Sequence, residues 1–342
     1  MKLLAIETSC DETAAAVVED GRRILSNIVA SQMDVHARFG GVVPEIAARS
    51  HIEVILPVIR QALVEADATW DDIDGIAVTA GPGLLGSLLI GTLTARTLAL
   101  VHAKPLYAVN HIVAHTFANF LTEPQPVFPL LALSVSGGHT HLMWFESALN
   151  YRLIGRTRDD AAGEAFDKVA RMLGLPYPGG PSIARAAAGG DEHAYRLPRA
   201  NLGDSLEFSF SGLKTAVLRV LQSEVGGDFR TPSTELPSRL TAKQINDMAA
   251  SFQRTVCETL AVQLERAYAE YGPAAVVIAG GVAANQRLRA EVSRRLPIKI
   301  RYAPVNLCTD NAAMIGALAY HRALAGLTSD PLNFDADPAL AI

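Results

Sequence analysis

The chain has 342 residues, of which 49% are hydrophobic and 19% are charged. This length favours two domains over a single core, and the composition is that of a well-packed globular protein, which excludes a disordered chain. The formal net charge of −5 disfavours a protein that coats nucleic acid on its own.

The first segments also bear on the compartment. The N-terminal apolar run, LLAI, is too short for a signal peptide. The longest apolar stretch, residues 84–101, carries Arg96 and three threonines, so a buried helix explains it better than a membrane span. The three cysteines lie far apart without a CxxC spacing, which is typical of a reducing cytosol. We therefore predict a cytoplasmic protein with no membrane segment.

The first predicted elements are two strands joined by a polar turn. Residues 2–19, KLLAIETSCDETAAAVVE, place an apolar run on each side of that turn. Three carboxylates cluster in it, namely Glu7, Asp11 and Glu12. The turn contains no glycine, the residue that usually follows a carboxylate directed at ATP phosphates, so we do not expect direct ATP chemistry here.

A helix is predicted next, over residues 49–66, with Pro57 as an expected kink. At 3.6 residues per turn one apolar stripe should face the domain's own sheet. Its members are Ile52, Ile55, Leu56, Ile59 and Leu63. Val54 and Val58 fall off this stripe, and a second apolar face needs a second surface against which to bury. That surface is either a loop of the same chain or a partner protein.

Residues 73–115 read as strand, glycine turn, helix, strand and helix. His111 and His115 stand four residues apart, so they share one face of the last helix, at the carboxyl end of a strand where ligands bind in α/β sheets. Two histidines satisfied by backbone carbonyls are the alternative. A zinc peptidase is disfavoured, because the HExxH motif needs a glutamate and residues 112 and 113 are Ile and Val.

The same order of elements then recurs. Residues 122–129, TEPQPVFP, contain three prolines and are the predicted linker. Residues 129–145 repeat the strand–turn–strand pattern, and residues 274–320 repeat the order of 73–115. Residues 195–272 are expected to be a mainly helical insertion with one strand-like piece, LEFSFS. We predict a duplicated α/β chain whose first domain is 1–125 plus about 311–342 and whose second is 126–310.

This arrangement resembles the actin-like fold of sugar kinases and Hsp70-type ATPases, in which two domains enclose a nucleotide-binding cleft. In the repeated order of elements, Asp310 of residues 274–320 stands at the position that His111 and His115 hold in residues 73–115. We expect the three side chains to meet across the cleft, as a two-histidine, one-carboxylate site for a divalent ion such as iron or zinc. A helix N-cap is the alternative role of Asp310.

Three glycine-rich turns predict an adenine nucleotide. They are SVSGGHT (134–140), PGGPS (178–182) and IAGGVAANQ (278–286). Backbone N–H groups at such turns can approach a phosphate closely, and Asn285 opens a helix whose N-terminus favours anions. Asp167 lies inside a helix, where it either accepts from ribose hydroxyls or pairs with Arg171 on a solvated face.

Eight long motifs in order resemble one family. They are AIETSCDET, GGVVPEIAARSH, KPLYAVNHIVAH, SVSGGHTHL, GEAFDKVARMLGL, YPGGPSI, FSFSGLKTAV and IAGGVAANQRLR. On them the chain is identified as a member of the TsaD family (Gcp, YgjD and Kae proteins) of tRNA N6-adenosine threonylcarbamoyltransferases. The resemblance implies transfer of the threonylcarbamoyl group of threonylcarbamoyl-AMP to N6 of the adenosine 3′ of the anticodon, in tRNAs that read codons starting with A, with release of AMP.

The family's site residues carry over by position. The implied ligands of a metal, Fe2+ or else Zn2+, are His111, His115 and Asp310. The implied substrate-binding residues are Ser134, Val135, Ser136, Gly137, Gly138, Asp167, Gly180 and Asn285. Asp11 or Glu12 is expected to orient or deprotonate the attacking amine. The resemblance also implies three partners: tRNA, the shorter paralogue TsaB, which would pair through helices of the N-terminal domain, and the small ATPase TsaE.

Two other classes of function stay open: a metabolite kinase or ATPase of the same fold, and a chaperone-like binding module. The HxxxH–Asp set disfavours both, since neither needs a protein-ligated metal. Basic residues that could meet tRNA are concentrated near the end of the chain, at Arg287, Arg289, Arg294, Arg295, Lys299 and Arg301. Valine at Gly137 or Gly138 is expected to block either a positive φ or the approach of the backbone to the ligand.

Overall fold

Two five-stranded sheets and their helices organise the chain in a computed structural model that describes residues 1–121 and 126–342. The strands are β1 (Lys2–Glu7), β2 (Glu12–Glu19), β3 (Arg23–Ser31), β4 (Gly75–Gly81), β5 (Leu106–Asn110), β6 (Leu130–Val135), β7 (Thr140–Phe145), β8 (Tyr151–Arg156), β9 (Ala275–Ala279) and β10 (Ile300–Tyr302). The α-helices are α1 (Met33–Ala37), α2 (Pro44–Glu65), α3 (Leu85–Val101), α4 (His111–Phe117), α5 (Ala162–Met172), α6 (Gly179–Ala187), α7 (Ser211–Glu224), α8 (Ala242–Tyr271), α9 (Gln286–Arg295), α10 (Val305–Cys308) and α11 (Ala312–Leu324).

The two sheets share one strand order. It is β3-β2-β1-β4-β5 in the first and β8-β7-β6-β9-β10 in the second. In the first, β1 is antiparallel to β2 and parallel to β4; in the second, β6 is parallel to β9. The duplicated α/β topology predicted from the sequence is thereby confirmed. Each sheet also carries an outer strand, β3 or β8, that the sequence patterns did not indicate.

The chain packs as two compact units. Unit 1 consists of Met1–Phe128, Phe145–Arg152 and Tyr302–Ile342, and unit 2 of Pro129–Trp144 and Leu153–Arg301. Unit 1 therefore resumes at Tyr302 rather than near 311, and Asp310 belongs with the first half of the chain. Of the predicted linker, residues 122–125 lie outside the described residues.

The insertion expected at 195–272 contains the helices α7 and α8. Its strand-like piece forms only one isolated bridge, between Phe208 and Thr157, and is not a strand. Within the described residues no helix is both long and apolar enough to cross a bilayer.

The core of unit 1 lies on both faces of its sheet. Strands β1 and β4 are buried along almost their whole length, as continuous apolar runs require. Helices α2 and α3 pack together on this unit, and α11 packs against β1, β2 and α4. Helix α11 comes close to the sheet because Gly316 has no side chain, and a Cβ there would lie 2.9 Å from Val18 Cγ2.

Helix α2 is rolled away from the predicted orientation. Val58 is only 6% exposed and Val54 packs against the core, whereas Ile52 and Leu56 are 59% and 52% exposed. The predicted stripe is therefore confirmed at Ile55, Ile59 and Leu63, which are buried, and wrong at Ile52 and Leu56; it left out His51, which lies on the buried face. Its imidazole is buried, with Nδ1 2.7 Å from Thr13 Oγ1 and Nε2 3.0 Å from the Cys10 carbonyl oxygen. A satisfied histidine thus occupies the centre of the buried face.

Candidate metal centre and nucleotide-binding loops

Helix α4 begins where β5 ends, and this junction presents both histidines. Asn110 is the N-cap: its Oδ1 accepts hydrogen bonds from the backbone N–H groups of Ile112 (2.9 Å) and Val113 (3.2 Å). The cap fixes the start of the helix at His111, so His111 and His115 lie one turn apart on one face. Their ring centroids are 4.7 Å apart and both side chains are buried.

The ring of His111 is oriented by the turn after β1. Its Nδ1 lies 3.0 Å from Glu7 Oε2 and 3.2 Å from Ser9 Oγ. Glu7 is fully buried and also accepts hydrogen bonds from Thr79 Oγ1 and the Ser9 backbone N–H. A carboxylate at Nδ1 holds the proton on that nitrogen and leaves Nε2 to face Asp310, which is the usual support of a metal-bound histidine. Glu7 was seen in the sequence only as one of three clustered acids.

Asp310 reaches the histidines from the segment between α10 and α11. Its Oδ1 lies 3.2 Å from His115 Nε2 and 3.5 Å from His111 Nε2. The alternative N-cap role is wrong, because Asn311 caps α11 by accepting from the Met314 N–H at 3.2 Å. The expectation of a meeting across the cleft is wrong as well. All three side chains belong to unit 1, since α11 packs on the first sheet.

This cluster fits a divalent cation. One atom from each of His111, His115 and Asp310 lies within 4.8 Å of the others. Two ligand atoms on one tetrahedral zinc are about 3.4 Å apart for bonds of about 2.1 Å. His115 Nδ1 is buried without a hydrogen-bond partner among the described residues, and its Nε2 contact with Asp310 is not aligned as a hydrogen bond. His115 Nε2 and Asp310 Oδ1 are therefore placed to bind one cation between them, which agrees with a metal site.

The acidic neighbours set the charge of the cluster. Burial disfavours the imidazolium of His111, but Glu7 and Asp310 outweigh it and raise the pKa to about 9. Burial likewise disfavours the Glu7 carboxylate, yet the proximity of His111 keeps its pKa below the ordinary value. A cation that binds here must therefore displace a proton from His111, and this makes its affinity pH-dependent.

Asp11 and Glu12 lie on the turn between β1 and β2 and at the start of β2. Burial, reinforced by Asp310, raises the pKa of Asp11. Burial, reinforced by Asp11, raises the pKa of Glu12 to about 8, although Ser31 Oγ donates to Glu12 Oε1 at 2.8 Å. The other oxygen, Oε2, is buried without a hydrogen-bond partner among the described residues.

The last residues of the chain support the same helix. Asn110 Nδ2 points toward the carbonyl oxygens of Ala341 (3.2 Å) and Leu340 (3.4 Å), while the Asp337 N–H donates to the Ala80 carbonyl at 2.8 Å. Gly81 has φ +155, and a Cβ there would overlap the Asp337 carbonyl oxygen. No sequence motif indicated that this segment contributes to the site.

The predicted substrate-binding residues all lie in unit 2, where several backbone segments converge. The end of β6 leads into Ser136 and Gly137, and Gly163 at the start of α5 packs closely against these two residues. Gly280, just after β9, packs closely against the end of β6. Adjacent parallel strands bring these loops to one edge of the sheet, the edge at which ligands bind.

Most of these side chains already have structural roles. Ser134 and Val135 are fully buried in β6. Asp167 Oδ1 accepts from the Gly179 N–H at 2.6 Å, and this bond fixes the turn that carries Gly180 into α6. Asn285 caps α9 by accepting from the Leu288 N–H (3.1 Å) and also donates to Gln253 Oε1 (2.9 Å). What the loops offer a ligand is therefore chiefly backbone.

The glycine pattern differs from the prediction. Gly137 and Gly138 are exposed, have no positive φ, and would meet nothing within 4 Å if a Cβ were added. The expectation of a blocked positive φ is wrong, and only a clash with a ligand stays possible. Two other glycines are sterically essential. A Cβ at Gly163 would lie 2.4 Å from the Ser136 carbonyl oxygen. Gly280 has φ +84, and a Cβ there would lie 2.4 Å from the Val135 carbonyl oxygen.

Several of the basic residues expected to meet tRNA are neutralised. Glu291 is almost fully buried and accepts from Arg287 (2.8 Å), Arg294 (2.6 Å) and Arg295 (2.7 Å). Arg287 also pairs with Glu192 and Arg295 with Glu265. This network holds α9 in place. It leaves little free positive charge for RNA at these three positions.

The chain is similar to known proteins over most of its length. A family model described as "TsaD: tRNA N6-adenosine threonylcarbamoyltransferase" matches residues 23–317. Relatives with that name are 52% identical in Thermomicrobium roseum (96% of this chain, 94% of the relative) and 52% identical in Symbiobacterium thermophilum (99% and 96%). A ROK hexokinase from Thermus thermophilus has TM-score 0.50 at 18% identity, covering 95% of this chain and 100% of that one. This last likeness shows the fold alone and confirms the actin-like architecture.

Replacing His111, His115 or Asp310 singly by alanine is expected to lower metal affinity more than about 100-fold, because even removal of a supporting residue costs about 10–100-fold. The measurement is metal content by mass spectrometry after reconstitution with Fe2+ or Zn2+. Circular dichroism checks that each variant is folded. His102→Ala, at a histidine that stacks on Trp70 elsewhere in unit 1, is the matched control. Full occupancy in Asp310→Ala would remove Asp310 from the ligand set.

Gly280→Ala is expected to lower the free energy of unfolding by about 1–3 kcal/mol, because a Cβ strains the positive φ and meets the Val135 carbonyl. Gly137→Ala should change it by no more than about 0.5 kcal/mol. Urea denaturation measures both. If Gly137→Ala or Gly137→Val keeps its stability but loses adenine-nucleotide affinity in calorimetry, the ligand itself approaches this backbone; unchanged affinity would mean that the turn serves the fold only.

Proposed function

The chain belongs to the TsaD family of tRNA N6-adenosine threonylcarbamoyltransferases, and on this premise we propose its donor and acceptor. The donor is threonylcarbamoyl-AMP. The acceptor is N6 of the adenosine 3′ of the anticodon, in tRNAs that read codons starting with A, and AMP is released. The observation that carries the proposal is the buried cluster of His111, His115 and Asp310 in a chain that matches this family over residues 23–317.

The chemistry explains why an activated donor is needed. The exocyclic amine of adenine is a poor nucleophile, because its lone pair is delocalised into the ring. A mixed anhydride with AMP supplies an electrophilic carbonyl carbon and a good leaving group. In the transfer the N6–carbon bond forms, the carbon–oxygen bond to the AMP phosphate breaks, and one proton leaves N6.

The residues divide this work. His111, His115 and Asp310 would hold a divalent cation, Fe2+ or Zn2+, which when bound supplies a Lewis acid. We assign adenylate recognition to the backbone of the loops of unit 2 that begin at Ser136 and Gly280, because amides at helix N-termini and glycine turns bind phosphate. Glu12 is our candidate to take the proton from N6. Its buried Oε2 has no hydrogen-bond partner among the described residues, and a pKa of about 8 suits a group that exchanges protons near neutral pH.

We also propose three macromolecular partners, namely tRNA, the TsaB paralogue and the small ATPase TsaE. The surface for TsaB is revised from Val54 and Val58 to the exposed apolar face of α2 and α3. Its members are Ile52, Leu56, Leu85, Leu89 and Leu93. This face, called the leucine face below, lies on two helices that pack against each other, so it is continuous enough to receive helices of a paralogue with the same fold. The TsaE proposal depends on the family resemblance alone.

The function is tested by incubating the chain with TsaB, TsaE, threonylcarbamoyl-AMP and tRNA, followed by mass analysis of the tRNA nucleosides. We expect adenosine to gain the threonylcarbamoyl mass only in tRNAs that read codons starting with A, with one AMP released per modified nucleoside. The same tRNA with guanosine 3′ of the anticodon is the control. AMP release without modified adenosine, or ADP release in the presence of a small alcohol and ATP, would replace this proposal with hydrolysis or kinase activity.

Ile52→Asp combined with Leu89→Asp is expected to abolish association with TsaB while the fold and metal content stay intact, because both side chains are exposed in the free chain. Gel filtration of the mixture measures association. Val64→Asp is the matched control, since Val64 is an exposed apolar residue of α2 outside the leucine face. Co-elution of the double variant with TsaB would place the interface elsewhere. Val58→Asp, by contrast, buries a charge and should unfold unit 1.

A further inference from the structure

A polar pocket of unit 2 lies next to the turn that contains Gly137 and Gly138. It is an open pocket of about 420 Å3, lined by Gly138, His139, His141, Arg156, Thr157, Arg158 and Glu207. This is within the usual range of ligand pockets, roughly 300–1,000 Å3. Gly138 also belongs to the predicted donor-binding loop, so whatever enters this pocket lies next to the proposed acyl donor.

The alternation of side chains at the start of β7 places two histidines in one wall of this pocket. Thr140, the first residue of β7, is fully buried, and its Oγ1 accepts from the Ala162 N–H at 3.0 Å. Its neighbours His139 and His141 therefore lie on the opposite face of the chain. Their rings are nearly parallel, with centroids 5.5 Å apart and an interplanar angle of 27°. Together they present a small aromatic surface.

The end of β8 adds a cation to this surface. The Thr157 N–H donates to the Thr140 carbonyl oxygen at 3.0 Å, which brings the last residue of β8, Arg156, beside the histidines. The guanidinium of Arg156 is exposed and makes no hydrogen bond or ion pair within the described residues, although its charge also helps to lower the pKa of Glu207. Arg158 differs, because its Nε lies 2.6 Å from Glu207 Oε2 and is neutralised by it.

The imidazole of His141 does not contribute positive charge to the pocket. Burial, reinforced by the nearby Arg156, lowers the pKa of His141 to about 4, so this ring is neutral at pH 7. Its Nδ1 is buried without a hydrogen-bond partner in the described part of the chain. Among the described residues the pocket thus combines a guanidinium without an ion-pair partner, the Arg158–Glu207 ion pair and the neutral ring of His141.

We infer that this pocket binds a nucleotide of the acceptor RNA, with the phosphate on Arg156 and the base against His139 and His141. The inference rests on the proposed function, because it names where the acceptor is held. Guanidinium groups recognise phosphate with two N–H donors, and unpaired RNA bases stack on aromatic side chains that include histidine. The acceptor must also lie beside the donor, and Gly138 is common to both places.

Arg156→Gln tests the inference in the full chain assembled with its partners. The dissociation constant for tRNA, from fluorescence anisotropy at several salt concentrations, should rise by about tenfold, and the log–log salt slope should fall by about 0.7, as for one single-strand phosphate contact. Affinity for an adenine nucleotide and the metal content should not change. Arg156→Lys should keep most of the salt slope, because it keeps the charge.

Arg152→Gln is the matched control. Arg152 is an exposed arginine four residues earlier on β8, on the same face of the strand but about 13 Å away. The Arg152→Gln variant should bind tRNA as the unaltered chain does. Glu207→Gln is expected to act in the opposite direction, with tighter tRNA binding and a steeper salt slope, because it releases Arg158 from its ion pair.

The outcomes separate this inference from the proposed function. If Arg156→Gln binds and modifies tRNA normally, the pocket does not hold the acceptor. If it loses nucleotide affinity instead of RNA affinity, the pocket belongs to the donor and the inference is wrong. If the unaltered chain modifies no adenosine but Arg156→Gln still weakens RNA binding, the proposed reaction fails while the RNA pocket stands.

Discussion

The packing of α11 on the first sheet assembles the candidate metal centre of this protein. That helix returns the chain to unit 1 and places Asp310 within 3.2–3.5 Å of two imidazoles carried by α4. The close approach depends on glycine at position 316, where any side chain would meet Val18. A late segment of the chain thereby completes a candidate site that an early segment begins.

The cluster that results is costly unless something compensates for it. Glu7 and Asp310 bring two carboxylates to one buried imidazole, and unpaired charge in an apolar interior is strongly unfavourable. Without a cation the cluster compensates by keeping a proton on His111, which is why the pKa of that residue is high. A divalent cation would neutralise the same carboxylates better than one proton. The arrangement therefore suits a divalent cation.

The loops of unit 2 offer a ligand mainly backbone rather than side chains. The side chains at the loops mostly support the fold: Asp167 holds a turn, Asn285 caps a helix, and Glu291 gathers three arginines. What is left exposed is backbone at Gly137 and Gly138 and, beside it, the guanidinium of Arg156, which forms no ion pair within the described part of the chain. A phosphate-bearing ligand is the chemical class that both features suit. This agrees with a protein whose net charge is negative but whose substrate is RNA.

The sequence alone determined the duplicated topology, the family and the three residues of the candidate metal centre, because strand and helix periods, an i,i+4 histidine pair and long ordered motifs are local or linear signals. It failed where the answer depends on packing. The roll of α2 followed from a buried histidine satisfied by Thr13 and a backbone carbonyl, and no hydropathy pattern reveals such partners. Whether a glycine is required depends on what lies opposite its missing Cβ, so Gly137 and Gly280 look alike in sequence and differ in the fold. The unit to which Asp310 belongs, and the pairing that leaves Arg156 as the free cation beside the glycine loop among the described residues, were likewise decided only by tertiary contacts.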